Sequence, residues 1–437
     1  MNKSTKIVLG IATLASASLL AACGSSNASG SKSSTPKAAD KNINLWTFAD
    51  MKPQIQEYEK ENPNGYKITE TVIPYADFQT KLDKVLGTSK APDMVALDAG
   101  FVSKYVDSGM LADLAPYGVA SAAKDAFPYT LDIGKDSSGK QVAISYQAAP
   151  GALYFNAPLL QKYAGIDPTD TTAVDNAFSS WANVEKTAET IKTKSNGQAY
   201  LFSSLQDMYM PAIGGRTEGW VSKDNKLQID PSLLTNLTMM KDFVDKGLTQ
   251  NTVGQNSDWF AGMSNNKIVA YSLPSWGLFY WLKDYAKGTT GDWRVTAGPQ
   301  AYSWGGTWFG AVKGTKDEAN AANLAIYWST NTKFQTWQAS ANTDFVDTQS
   351  VDTAVAAQYD KAPVAGSPIG TQNPYPVFAQ QAKKINGSII TKYDQNIQNL
   401  WINDVINTYC NGKESEDKAI ATFKSDVKSA YPELTTN

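Results

Sequence analysis

Between Ile43 and Gly109 the chain alternates short apolar runs with helical periodicities, and this rhythm restricts the possible folds more than any other feature. Ile43-Asn44-Leu45-Trp46 and Tyr66 to Ile73 read as strands, and Met94-Val95-Ala96-Leu97 as a continuous apolar strand. Between them Pro53 fits a first helical turn ahead of Ile55 and Tyr58, while Phe78, Leu82, Val85 and Leu86 share one helical face. Strands that are apolar throughout are buried on both faces. A β-α-β-α-β-α order of this kind therefore predicts an α/β unit with a largely parallel sheet. A second unit starts after Pro150-Gly151 with the strand Ala152 to Asn156. Asp230-Pro231 marks a helix start, and Ile268 to Leu273 is a strand that breaks at Pro274-Ser275-Trp276-Gly277. From about Asp317 the chain reads as mostly helical, and no repeat of 20–50 residues is visible. Residues 41–437 are too many for one small core and suit two large lobes.

Lys3 and Lys6 precede an apolar stretch from Ile7 to Ala22, too short and too rich in Ala, Ser and Gly for a membrane span. The sequence Leu20-Ala21-Ala22-Cys23 resembles the lipobox of bacterial lipoprotein precursors. That resemblance implies removal of residues 1–22, lipidation of Cys23, and a protein anchored on the extracytoplasmic face of the cell membrane. Gly24 to Asp40 is small, polar and without periodicity, so residues 23–40 read as a lipidated cysteine and flexible tether. Such a coil spans roughly 20–25 Å at about 5–6 Å × √n.

The composition removes several functions. There is no histidine, so the usual general base and the commonest transition-metal ligand are missing. Of the two cysteines, Cys23 is committed to lipid. That leaves Cys410 without a disulfide partner and best read as a small buried hydrophobe. A formal charge of −3 gives no basic surface for nucleic acid. The aspartates at 132 and 136 and at 167, 170 and 175 lack calcium-loop spacing, and no phosphate loop or nucleophile elbow is present. No cofactor, no metal and no catalytic residue are expected. What stands out instead is 12 Trp, 21 Tyr and 15 Phe, many in turn-like contexts, which points to binding before catalysis.

Several short motifs, in order, resemble the carbohydrate group of extracellular solute-binding proteins of ABC importers, distantly similar to maltose-binding protein. They are Leu45-Trp46-Thr47-Phe48, Pro92-Asp93-Met94-Val95 leading to Asp98, and the run from Tyr105 to Leu114. Leu153 to Asn156, Trp181 opening a helix, Phe260 to Met263 with Lys267 to Ala270, and Pro274-Ser275-Trp276 follow. The resemblance implies a two-lobe α/β fold of the periplasmic-binding-protein-like type (type II), with discontinuous lobes, a hinge, and the ligand in the interlobe cleft. It places residues 41–148 and 306–363 in the N-lobe and 149–305 and 364–437 in the C-lobe. It also implies a monomer that delivers a di- or oligosaccharide to permease transmembrane subunits. Phe155-Asn156 departs from the family's usual Tyr-Asn.

Ligands of open α/β sheets bind where loops leave the carboxyl ends of strands. A pyranose has an apolar face that packs on an aromatic ring and hydroxyls that seek charged acceptors. Trp276, just after a strand end and a proline, is the leading candidate to stack, and Asp98 the leading hydroxyl acceptor unless it caps the next helix. Period two places Tyr302, Trp304 and Trp308 on one strand face, with Trp304, Gly306 and Trp308 as cleft candidates. Asp207 and Tyr209 match the family's sugar-facing loop, and Tyr146 and Gln147 precede the first crossover. Trp46, Trp220 and Trp259 complete the set; Trp181, Trp281, Trp328, Trp337 and Trp401 sit in helical patterns and read as core. A surface glycoside hydrolase would use two carboxylates without histidine, but neither an eightfold βα rhythm nor an all-β pattern is present. A non-sugar solute on the same fold is the other alternative.

Overall fold

The computed structural model describes residues 41–341 and 343–436; the expected signal sequence (1–22), lipidated Cys23 and tether lie outside the described residues. Among the described residues, ten strands form three sheets. The largest has the order β2-β1-β3-β10-β4 and is built from β1 (Asn42–Thr47), β2 (Lys67–Val72), β3 (Met94–Asp98), β4 (Ile144–Ser145) and β10 (Thr307–Ala311). β1 runs parallel to β2 and β3, whereas β10 enters antiparallel between β3 and β4. The parallel arrangement expected from the sequence therefore holds for the first three strands only. β10 arrives from the other lobe instead of through a βαβ crossover, so no handed connection fixes its direction.

Continuous apolar strands are buried on both faces, as their sequences require. Met94 and Ala96 of β3 join one hydrophobic cluster with Ile43, Leu45 and Phe309, while Val95 and Leu97 join another with Phe78, Phe101 and Trp308. The second lobe repeats the arrangement around β5 (Gly151–Asn156), which pairs antiparallel with β8 (Ala270–Pro274) and β9 (Trp293–Thr296). Leu153 and Phe155 face one core, and Ala152 and Tyr154 the other. A small sheet of β6 (Phe202–Ser204) and β7 (Thr249–Thr252) completes this lobe. Cys410 is fully buried in the first of these cores, and burial pushes its thiol up to about 12, as befits a packing residue.

Three crossing segments join the lobes. The chain leaves β4 and enters β5 through Tyr146–Pro150, and it returns through Tyr302–Gly306 to β10. The two lie antiparallel: Pro150 bridges Ser303, Trp304 N donates to the Ala149 carbonyl at 3.0 Å, and Gly151 N to the Tyr302 carbonyl at 2.7 Å. Gly151 is obligatory there, because a Cβ would sit 2.0 Å from the Tyr302 ring. A third segment around Asp344–Thr348 bridges Gln147 through Val346 and Ala126 through Thr348.

The expected strand face carrying Tyr302, Trp304 and Trp308 is not continuous. Gly305 and Gly306 have φ of 78° and 102°, conformations open to glycine, and they break the alternation before β10 begins at Thr307. Tyr302 is consequently buried beneath Gly151, Trp304 turns into the space between the lobes, and Trp308 enters the first lobe's core.

Candidate functional site

A cavity of about 650 Å³ opens between the lobes. The first lobe contributes Tyr75, Asp98 to Gly100, Ser103 and Ile133. The second contributes Gln206, Tyr209, Met210, Arg216, Trp276 and the crossing residues Ser303 to Gly305. A helix starting at Asp394 supplies a further wall. Residues 395, 398, 399 and 402 follow helical spacing and turn Gln395, Gln398, Asn399 and Ile402 to the cavity, while Ile397 and Trp401 face the core.

Asp98 ends β3 at the cavity edge, where the loop leaves the sheet. Its Oδ1 accepts from the Tyr75 hydroxyl at 3.0 Å and from the Gly100 amide at 2.8 Å, and it does not cap the following helix Val102–Val106. Burial pushes its carboxyl above the usual range, against the lowering effect of those two bonds. Asp98 and Tyr75 thus face the cavity as one hydrogen-bonded acceptor unit.

On the opposite lobe Trp276 follows β8. Its Nε1 donates to the Trp304 carbonyl at 2.9 Å, and its ring lies 4.5 Å from Trp281, which in turn lies 5.3 Å from Trp304. Both Trp276 and Trp304 are half-buried, packed at their edges and open to the cavity. Tyr209 lines it too and donates to Gln206 Oε1 at 3.3 Å. Such a site offers aromatic surface, one carboxylate and several amides. Its other acid, Asp394, is ion-paired with Arg216 and accepts from Thr391 N and Oγ1 at 2.8 and 2.9 Å. The Arg216 guanidinium also lies 5.4 Å over the Trp220 ring.

Of the sequence-based candidates, the cavity gathers Asp98, Tyr209, Trp276 and Trp304. Asp207 lies behind it, fully buried. Its Oδ2 accepts from Ser204 N at 3.0 Å and Trp259 Nε1 at 3.2 Å, and burial pushes its carboxyl up to about 8. It orders the helix Gln206–Gly214 from which Tyr209 projects. Tyr146 and Gln147 belong to the hinge: Tyr146 stacks on Phe309 at 5.5 Å, and Gln147 Nε2 donates to Asp344 Oδ1 at 2.7 Å. Gly306 fixes the second crossing, its carbonyl accepting from Ala99 N at 3.0 Å. Trp46 packs half-buried against the first-lobe core and does not line the cavity.

Three tryptophans stand as corrections. Trp220 packs with Trp401 and Phe423, and Trp259 with Phe260, Tyr271 and Trp281. Trp308 donates from Nε1 to the Thr130 carbonyl at 2.9 Å. Each is about 99% buried or more, so no ring face is open to a solute. Trp281, read as core, does pack against the second-lobe core and from there also buttresses the two cavity tryptophans. Sequence reasoning passed over Tyr75, Arg216, Asp394 and the amide face. Only the amide face carried a local signal, its i, i+3, i+4 spacing.

Among the described residues no group of His, Cys, Asp and Glu could hold a metal ion, and no helix is long and apolar enough to cross a membrane. A family profile for bacterial extracellular solute-binding proteins matches residues 54–364. No curated protein sequence matches the chain. Among solved structures, it is similar to an extracellular solute-binding protein of family 1, at 19% identity and a TM-score of 0.77, covering 89% of this chain and 99% of that one. An ABC-transporter-associated binding protein from B. animalis subsp. lactis Bl-04, solved with β-1,6-galactobiose, matches at 19% identity and a TM-score of 0.68 over 90% of this chain and 99% of that one. An ABC substrate-binding protein from Listeria monocytogenes, in complex with cycloalternan, matches at 18% identity and a TM-score of 0.68 with the same coverages.

Proposed function

The chain belongs to the bacterial extracellular solute-binding protein family, and on that premise we propose that it captures a neutral di- or oligosaccharide for an ABC importer. The observation that carries this reading is the pairing of Trp276 and Trp304 on one wall with Asp98 and Tyr75 on the other. Aromatic faces take the apolar side of a pyranose, and the carboxylate and amides take its hydroxyls. One indole face covering about 100 Å² contributes roughly 2.5 kcal/mol at about 25 cal/mol/Å². Two faces and charge-assisted hydrogen bonds reach the about −8 kcal/mol of micromolar binding after association costs. The cavity's one basic side chain is neutralised by Asp394, which favours an uncharged solute over an acidic one.

The protein acts by binding, without catalysis. With Asp394 held by Arg216, Asp98 is the one lining carboxylate outside an ion pair, whereas glycoside hydrolysis asks for two. Family membership places it outside the cytoplasm. Its lobes are N (41–148, 306–363) and C (149–305, 364–437), and it works as a monomer tethered through lipidated Cys23. The test is a thermal-shift screen of residues 41–437 against neutral sugars, including β-1,6-galactobiose, maltotriose and cycloalternan. A ligand at a hundredfold excess over Kd stabilises the fold by about 2.7 kcal/mol. A screen in which no sugar moves the transition overturns the reading.

A further inference from the structure

Among the described residues, six that are not glycine have a positive φ, and four of them are asparagines, which tolerate that conformation. Gln255, at φ 59°, is the one of the six that lines the cavity between the lobes. Its longer side chain has no local bond to its own backbone, so the left-handed conformation costs energy that asparagine or glycine would be spared. The surroundings impose the conformation. Gln255 lies between β7 and the helix Ser257–Ala261. At one end of this loop Asn251 Nδ2 donates to Asn411 Oδ1 at 2.9 Å. At the other, Asn256 Oδ1 accepts from the backbone nitrogen of the wholly buried Trp259 at 2.8 Å. Between them Gly254 rests on Gln206: a Cβ there would lie 2.0 Å from Gln206 Oε1. That oxygen accepts from the Tyr209 hydroxyl, and Gln206 and Tyr209 both line the cavity. The loop is therefore seated on the cavity wall at the residue just before Gln255.

None of these ties uses the Gln255 side chain. It is exposed, and its amide hydrogen-bonds to no described residue. The Gln206 amide nitrogen is buried without an acceptor. A strained backbone thus holds an unpartnered amide at the cavity, at a cost to stability that no contact within the fold offsets. Resting on the solute-binding reading, we propose that Gln255 is a further solute-contacting residue, whose amide hydrogen-bonds a hydroxyl of the captured sugar at the second lobe's rim of the cleft. A side-chain amide both donates and accepts, as a sugar hydroxyl does, so the two groups can pair in either sense. Asparagine would suit this backbone better, but its amide ends one carbon short of the glutamine's.

Calorimetric titration and thermal melting of residues 41–437 test this, with the sugars of the screen as probes, β-1,6-galactobiose, maltotriose and cycloalternan among them. Gln255→Met keeps the length and the backbone demand of the native residue and removes the amide. Gln255→Asn keeps an amide and suits the left-handed conformation but shortens the reach. Both variants should bind the sugar that wild type binds at least about fivefold more weakly, the effect of one lost hydrogen bond. Without sugar, Gln255→Asn should melt no lower than wild type, so that its weaker binding does not come from a damaged loop. A smaller loss of affinity in Gln255→Asn overturns the proposal. A lower melting temperature for that variant also overturns it, because the side chain would then be a structural part of the loop. Should Gln255→Met bind as wild type does, the amide makes no contact with the sugar and the proposal falls as well. In each of these cases binding by wild type leaves the solute reading standing. If no screened sugar binds wild type, the solute reading itself fails and takes this proposal with it.

Discussion

The indole nitrogen of Trp276 donates to the backbone carbonyl of Trp304 across 28 residues of chain, at 2.9 Å. Trp276 stands at the end of β8, and Trp304 on the segment that returns to the first lobe. One hydrogen bond therefore fixes the cavity's main aromatic face relative to the hinge. A solute resting on that face touches a group already tied to a segment that crosses between the lobes.

Gly305 is the residue that lets the two tryptophans meet. It has φ of 78°, and a Cβ there would lie 2.8 Å from Trp276 Nε1. Gly305→Ala should displace the indole and weaken sugar binding at least tenfold, and it should also lower the melting temperature through backbone strain. Titration calorimetry together with melting checks both effects; unchanged affinity would mean that the indole's placement is immaterial.

The Arg216–Asp394 pair joins residues 178 apart at the cavity floor, with side-chain exposures of 2% and 9%. Breaking it leaves a buried charge unpaired. Arg216→Met should cost about 3–5 kcal/mol of stability in urea unfolding. The double variant Arg216→Met/Asp394→Leu should recover much of that loss. A double variant as unstable as the single one would show that the buried charge left by Arg216→Met is not the cause.

Asp207 should give the fold an unusual pH profile. Burial raises its carboxyl to about 8 in the folded protein, above the unfolded value of about 3.9. Its contribution is thus present in acid and is lost as pH rises through 8. The melting temperature of wild type should fall between pH 6 and 8, and Asp207→Asn should flatten the fall. An equal slope in the variant would assign the titration elsewhere.

Much of this architecture is legible in the sequence because burial on both faces leaves a continuous apolar run, as in Met94 to Leu97. Trp276 and Asp98 could be found because strand ends are where loops open to solvent. Trp220, Trp259 and Trp308 were misplaced because an aromatic residue near a turn suits a cavity wall and a core equally well. Which one it meets depends on distant partners such as Trp401 or Thr130. Arg216 and Asp394 left no trace for the same reason: each is defined by the other, and nothing local marks the pair. The period-two reading of Tyr302 to Trp308 failed on backbone geometry, since two glycines at positive φ reset the alternation.

On the lipoprotein reading, the anchor is separable from the site. Cys23→Ala should release the protein into the soluble fraction on cell fractionation with sugar affinity unchanged. Variant protein still found with the membrane would remove the lipoprotein reading.

The most direct test of the account is calorimetric titration of the screened sugars into wild type and Trp276→Ala, with the sugar recovered afterwards. We expect micromolar binding by wild type, a loss of about 2 kcal/mol, or roughly thirtyfold, in the variant, and sugar returned uncleaved. Equal affinity in the two proteins, or conversion to shorter sugars, would contradict the assignment of this cleft to aromatic capture of an intact saccharide.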